Sequence, residues 1–499
     1  MQLSIIFAVL LSCILNSTPS DAIPAMARHQ VQGRANPMMV TMPLKRLYVP
    51  RTDVHPQLIL QQHINRGNKR LARMTGRSEP AEHELRAEMH KRMYLLESGP
   101  GSRSSDTTEA GSTFSRRHLR HSKPATDAAS NTSVSNTGTS VVSPLDIQAA
   151  QNGGLTAANK TTANNTLGLA IEADDVGYIA TIQIGTPPKN FNILMDSGSA
   201  DFWVGSETCQ SQQGGGCGNH TFLGSQSSTS FVQSSQNFSV TYGSGAVAGV
   251  ICQDNVNIAG LQLNNHTFGV ANEETVQFSA DTVSFDGLMG LAQSTLSNQK
   301  VPTPVESLTS QGLISSAIAS FKISRLADQL NDGQVTFGGL DSTKFIASSL
   351  VTIPNVNQQG FWEGAMDAIT VNGQSSGLTG RTAILDTGTT LIIAPQADTQ
   401  AIMTMLGGKC DTQQCTVPCT TNASVALSFG NASFTIDPRD MALLPVDLNA
   451  PTGDCTAGIQ AGTIGTNTEW LVGDVFLKNA YFSADTQKNQ ISLAKLSTP

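Results

Sequence analysis

Two aspartates, Asp196 and Asp386, sit in nearly matching surroundings 190 residues apart. The first stretch reads Ile193-Leu194-Met195-Asp196-Ser197-Gly198-Ser199, the second Ala383-Ile384-Leu385-Asp386-Thr387-Gly388-Thr389. In each, an apolar run predicts a buried strand that delivers one carboxylate where the backbone turns. Glycine permits that turn, and the flanking hydroxyls can hydrogen-bond the carboxylate and fix its orientation. One such triplet is an ordinary turn. Two, each led by an apolar strand, point to a duplicated unit that brings its two carboxylates together. Like charges at about 3 Å cannot both ionise, so such a pair shares one proton. The ionised member can take a proton from a water while the protonated member donates to a carbonyl oxygen. This chemistry calls for neither a metal nor a covalent intermediate. A glycoside-cleaving pair needs unequal surroundings and a gap set by the sugar, which these matching settings do not offer. A Ser or Cys nucleophile needs a base. Beyond residue 121 the sequence offers only His220 and His266, both inside Asn-X-Thr sequons and hence expected on the surface.

The elements that must position this pair are strands. From residue 178 onward, short runs rich in Val, Ile, Thr and Phe recur between Gly, Asn and Ser, predicting strands at 178–184, 238–242, 247–252, 255–258, 334–337, 365–371 and 424–429. Short helices are expected at 304–311 and 397–406. The duplication extends further: Phe285-Asp286-Gly287-Leu288-Met289-Gly290 stands roughly ninety residues after the first Asp strand, and Trp470-Leu471-Val472-Gly473-Asp474-Val475 after the second. Each supplies an apolar–Gly strand able to cross its Asp strand. The expectation is an all-β protein of two similar lobes.

A chain of 499 residues is long enough for two sizeable cores. Residues 5–15 form a short apolar stretch followed by small and polar residues, read as a secretory leader ending near Ala22. No later apolar run is long enough to span a bilayer, and no membrane anchor is expected. Residues 23–125 carry a balance of +10 and residues 126–499 one of −17, which the formal net charge of −8 conceals. Given the expected export, this opposition suggests two parts of one chain that bind each other rather than a nucleic-acid partner. The basic part contains two helix candidates, at 55–74 and 81–96. Residues 126–166 have the Ser, Thr and Asn content of a linker. Sequons for N-glycosylation occur at Asn131, Asn159, Asn164, Asn219, Asn237, Asn265, Asn422 and Asn431.

From about residue 169 to its end the chain resembles the pepsin-like aspartic peptidases, in their secreted, polyporopepsin-like form. The resemblance rests on the two Asp motifs and on Tyr242-Gly243-Ser244-Gly245, 46 residues after Asp196. It implies a bilobal double β-barrel with pseudo-twofold symmetry and a cleft between an N-terminal lobe at 167–341 and a C-terminal lobe at 342–499. It identifies Asp196 and Asp386 as the catalytic pair, and Tyr242, Gly243 and Ser244 as a flap over the cleft. Trp203 would hydrogen-bond the flap tyrosine. Ser199, Thr387, Gly388 and Thr389 would support the pair and the substrate, and Leu194, Phe285 and Leu288 would line an apolar pocket. The chain departs from the family pattern at Ser197 and at Ala200-Asp201, beside the pair. The implied protein is a monomeric acid endopeptidase acting on polypeptides without a cofactor, exported or vacuolar, and held inactive by its own basic segment. The rival expectation is a protein of the same fold that binds without catalysis. Of the seven cysteines beyond the leader, the preferred disulfide pairs are Cys209–Cys217 and Cys419–Cys455. Cys410–Cys415 would close a small loop, leaving Cys252 as a buried thiol.

Overall fold

Strands dominate because the sequence keeps supplying short β-branched and aromatic runs cut by turn residues. The computed structural model describes residues 138–497, apart from 243–244, 282, 412–413 and 463–466, all within the unit Tyr48–Pro499. The expected leader and basic segment therefore lie outside the described residues, as do the first residues of the expected linker. Strand Gln334–Phe337 falls where the sequence places it, and helices Pro304–Ser310 and Gln396–Leu406 lie close to their expected positions. The two runs expected at 247–252 and 255–258 are one continuous strand, Ala246–Ile258. The run at 365–371 is instead broken into Glu363–Met366 and Ala368–Val371. Among the described residues no helix is long and apolar enough to cross a membrane.

The architecture is the expected bilobal, all-β one, and its core is one three-strand unit built twice. In the first half, Lys189–Asp196 runs parallel to Gly287–Gly290, pairing Leu194 with Leu288 and Asp196 with Gly290. Gly287–Gly290 in turn pairs antiparallel with Phe202–Ser211. In the second half, Arg381–Leu385 runs parallel to Glu469–Val472, which pairs antiparallel with Ile392–Pro395. The glycine ending each crossing strand is required by close approach. A Cβ at Gly290 would stand 2.5–2.6 Å from the Ala200 backbone, and one at Gly473 only 1.9 Å from the Thr389 carbonyl oxygen. The first unit lies in a nine-stranded sheet and the second in a five-stranded one.

A six-stranded sheet joins the ends of the described chain. Thr166–Gly168 pairs with Gln334–Phe337, then come Ile318–Lys322, Tyr481–Asp485, Gln490–Ala494 and Val351–Pro354. The boundary expected at 341/342 is thus crossed by one continuous ladder. All three tryptophans are buried, and Trp362, from the second half, donates its indole N–H to Leu291 O of the first at 3.0 Å.

The stretch expected as linker differs from its reading. From Val141 it is built into the fold, the Val141 N–H donating to Cys419 O at 2.8 Å. Helix Pro144–Asn152 is capped by Ser143, whose Oγ accepts from the Leu145 N–H at 3.1 Å, with Pro144 in the first turn. Val142 and Ala150 are buried. Small residues suffice for this contact, so no broad apolar stripe marks the helix in the sequence.

Both preferred disulfides are present, and Cys410–Cys415 closes the small loop. Cys252 is buried and free, and burial pushes its thiol well above the usual cysteine range.

Candidate active site

The first Asp strand ends on Asp196, and the second delivers Asp386 immediately after Leu385. Both aspartates are fully buried. Their immediate contacts repeat atom for atom. One Asp196 oxygen accepts from the Gly198 N–H at 2.9 Å and the other from the Ser199 hydroxyl at 2.6 Å. Asp386 accepts from the Gly388 N–H at 2.9 Å and from the Thr389 hydroxyl at 2.6 Å. These bonds fix the plane of each carboxylate and satisfy part of its capacity in a place without bulk water.

A reciprocal clasp brings the two loops together. The Ser197 N–H donates to Thr387 Oγ1 at 2.9 Å, and that hydroxyl donates to Met195 O at 2.9 Å. In mirror fashion, the Thr387 N–H donates to Ser197 Oγ at 2.9 Å, and Ser197 Oγ donates to Leu385 O at 3.1 Å. Each clasping residue follows one aspartate directly, so the two carboxylates are carried to one place. Crossing strands brace the loops from behind: the Leu291 N–H donates to Asp196 O at 2.8 Å and the Asp474 N–H to Thr389 O at 2.8 Å. Beside the second loop, Thr390 Oγ1 donates to Val176 O at 2.9 Å.

Above the first loop, strands Val232–Thr241 and Ala246–Ile258 form a hairpin, closed by the Tyr242 N–H donating to Gly245 O. Gly243 and Ser244 lie outside the described residues. The Trp203 indole N–H donates to the Tyr242 hydroxyl at 2.8 Å, the contact expected from the sequence. Leu194, Phe285 and Leu288 share an apolar cluster with Trp203, Tyr242 and Phe278. Phe278 packs edge-on to Tyr242 with ring centroids 5.7 Å apart and also meets Phe285.

Several participants were not legible as such. Ser197 counted as a departure, yet it is half of the clasp; its position matches that of Thr387 within the repeat, which was the available signal. Asp201, also a departure, is buried and accepts from Ser297 Oγ at 2.8 Å and from the backbone N–H groups of Asn298 and Gln299 at 3.1 and 2.9 Å. Phe278 carried no motif at all.

The histidines are not on the surface as expected. Asn265 is exposed, but strand alternation turns the next residue inward, and His266 is 3% exposed. It stacks on Phe202 and Phe268, and burial lowers its pKa to about 4. His220 has a largely buried side chain, with Nδ1 3.7 Å from Asp286. Burial draws its pKa down, but the Asp286 carboxylate more than offsets this and leaves it raised. Glu274, one residue before the Thr275 hydroxyl that accepts from the Ala246 N–H at 3.1 Å, is pushed up to about 7, first by burial. The described sequon asparagines 159, 164, 219, 237, 265, 422 and 431 are all exposed.

Comparison with known proteins gives a consistent picture. A model of the eukaryotic aspartyl protease family matches residues 177–496. The chain is 35% identical over 339 residues to a probable aspartic-type endopeptidase CTSD of Trichophyton verrucosum, covering 68% of this chain and 64% of that protein. It is 32% identical to the aspartic-type endopeptidase ctsD of Aspergillus fumigatus, covering 68% of this chain and 70% of the relative. Against pepsin-2B of Gadus morhua the identity is 32%, over 64% of this chain and 96% of the relative. The chain thus spans just under two thirds of the length of the Trichophyton relative.

Proposed function

The chain belongs to the eukaryotic aspartyl protease family, and on that premise we propose that it is an acid-acting endopeptidase using Asp196 and Asp386 as a proton-sharing pair. The observation that carries this reading is the clasp between Ser197 and Thr387, because it gives the two carboxylates matching frames. A water held between them loses a proton to the ionised carboxylate as its oxygen attacks the peptide carbonyl carbon. The protonated carboxyl gives its proton to the carbonyl oxygen. As the tetrahedral species collapses, the protonated carboxyl gives its proton to the departing amine while the other carboxylate takes one from a hydroxyl of the gem-diol, so the C–N bond breaks, a carboxylic acid forms and one shared proton remains on the pair. Tyr242, with Gly243 and Ser244, would close over the substrate. The cluster containing Leu194, Phe285 and Leu288 favours large apolar side chains at the scissile bond. Cys252, with its raised thiol pKa, offers no thiolate for a rival nucleophilic route.

The same reading makes residues 23–125 an inhibitory segment. Its charge of +10 opposes the −17 of the remainder, and a basic residue near 66–73 would pair with the catalytic carboxylates at neutral pH. Such pairing lowers the carboxylate pKa, so the hold is present at neutral pH and is lost as pH falls through the lowered value. The protein would be exported or vacuolar and act as a monomer on polypeptides.

The test is digestion of denatured haemoglobin between about pH 2 and pH 6, with and without a statine-type inhibitor. Inhibitor-sensitive cleavage beside large apolar residues is expected, abolished in Asp196→Asn and in Asp386→Asn with the fold retained. No inhibitor-sensitive cleavage, or near-normal turnover in either variant, overturns the proposal. For the inhibitory segment, the precursor purified at neutral pH should be inactive until shifted to about pH 4. An intact precursor already fully active at neutral pH would rule that role out.

A further inference from the structure

The residues ahead of the family match at 177–496 form a strap held at both ends. Upstream, the Val141 N–H donates to Cys419 O at 2.8 Å. Downstream, Gly154 O accepts from the Ala173 N–H at 2.8 Å, and Leu155–Thr156 pairs with Ala170–Glu172. Between these ties, helix Pro144–Asn152 packs on the turn Leu326–Asp328. Val142 and Ala150 are buried, whereas Leu145, Ile147 and Ala149 are covered in part, so little apolar surface holds the helix down. Gly153 and Gly154, with φ of 65° and 83°, join it to the strand that follows in a conformation that other residues rarely adopt.

A charged cluster lies beneath the helix, and Asp146 enters it with one oxygen unmet. Its Oδ1 is buried and accepts no hydrogen bond. The cations nearby are already engaged. Lys478 Nζ stands 3.0 Å from Asp175 and 2.8 Å from Asp440. Arg325 donates to Asp440 at 3.1 Å and to Asp328 at 2.8 Å, while Arg439 pairs with Asp328 and Asp437. The Tyr178 hydroxyl donates to Ser324 O at 2.7 Å. Asp174 brings a further acid, raised to about 8, first by burial. An ionised Asp146 is thus a surplus anion beside a lysine that two other carboxylates share. Burial first, then Asp175 and Asp440, raises its pKa to about 6, although Lys478 and the Ser143 backbone draw it down.

We propose that helix Pro144–Asn152 is a latch that acid closes, seated while Asp146 carries a proton and released on the Gly153–Gly154 joint when that proton is lost. The latch stands whether or not the protein is an endopeptidase. Released, Asp146 lies in water with its ordinary pKa of 3.8; seated, its pKa is about 6. Seating is therefore strongest below pH 3.8 and is lost as pH rises through about 6. The seating equilibrium weakens by about a hundredfold over that span, because each pKa unit is a factor of ten. Near neutral pH the chain ahead of Leu155 is open to proteolysis, and acid shields it.

Hydrogen exchange tests this on the full chain carrying Asp386→Asn, so that self-cleavage cannot shorten it. Between about pH 4 and pH 7, with rates corrected for the intrinsic pH dependence of exchange, residues 145–153 are compared with the control helix Gln396–Leu406. Protection of 145–153 is expected to fall about a hundredfold from the acid to the neutral end, with the control helix unchanged. Adding Asp146→Asn should keep 145–153 protected throughout. Asp146→Ala should also give a flat profile, at lower protection, and Asp174→Asn should leave the fall in place. Equal protection at both ends in the parent chain overturns the latch, as does a fall that survives in Asp146→Asn and Asp146→Ala. A fall that Asp174→Asn abolishes, or that the control helix shares equally, overturns it as well.

Discussion

Ser197 and Thr387 each give one backbone donor and one hydroxyl to the other's loop, and alanine would keep only the backbone donor. Ser197→Ala or Thr387→Ala removes a hydroxyl that both accepts and donates, leaving a buried N–H and a carbonyl without their partners. A loss of about 2–4 kcal/mol in urea unfolding is expected for either change, with sharply reduced turnover. The double variant should lose less than the sum, since both changes break one network. Thr387→Ser should be tolerated, because Ser197 already fills the mirrored position. The aspartates and their outer hydroxyls were legible because each belongs to a local motif. The clasp was not, since it exists only when two loops far apart in the chain meet. His266 was misread for the opposite reason: its sequon speaks for Asn265 alone. Its pKa, lowered from 6.5 to about 4, stabilises the folded state above pH 6.5, and that contribution is lost as pH falls through about 4. His266→Phe, which keeps a ring against the stacked pair Phe202 and Phe268, should flatten the loss of stability between pH 6.5 and pH 4 by about 2–3 kcal/mol in urea titrations.

At the scale of elements, helix Pro144–Asn152 introduces a titration of the opposite sign. Asp146 in its first turn suits the helix N-terminus, but its Oδ1 is buried without a hydrogen-bond partner. Burial, with Asp175 and Asp440 nearby, raises its pKa from 3.8 to about 6 despite Lys478. Asp174 faces the same place and is pushed up to about 8, first by burial, while Arg325 neutralises Asp440 from the far side. A raised carboxyl pKa makes its contribution fully present below pH 3.8, and it is lost as pH rises through about 6. Asp146→Asn removes that dependence, so relative to the native protein the variant should gain about 1–3 kcal/mol on passing from pH 4 to pH 7 in urea unfolding. No gain would mean that the carboxylate is hydrated in the folded state. The flap hairpin was legible from Tyr242 and its distance from Asp196, whereas this helix was not: its only strong sequence marks are Ser143-Pro144 at the start and Gly153 at the end.

At the scale of the molecule, the duplicated apolar–Gly strands foretold two lobes, but the sheet joining them has no repeat to announce it. Thr166–Gly168 has few large side chains, and its place is set by pairing with Gln334–Phe337. Gln490–Ala494, by contrast, holds Ile491 and Leu493 wholly buried between Tyr481–Asp485 and Val351–Pro354. Ending the chain at residue 489 should therefore abolish folding although both aspartates remain. Loss of the native tryptophan fluorescence and of statine-type inhibitor binding would show it, and a truncated protein that still binds inhibitor would count against this account.

That sheet also imposes an order on synthesis. When Asp386 leaves the ribosome, the strand Glu469–Val472 that braces its loop and the strands Tyr481–Asp485 and Gln490–Ala494 have yet to be made. The second carboxylate thus has no finished frame until Glu469–Val472 has been delivered, and on the endopeptidase reading proposed above a nascent copy would be inactive until then.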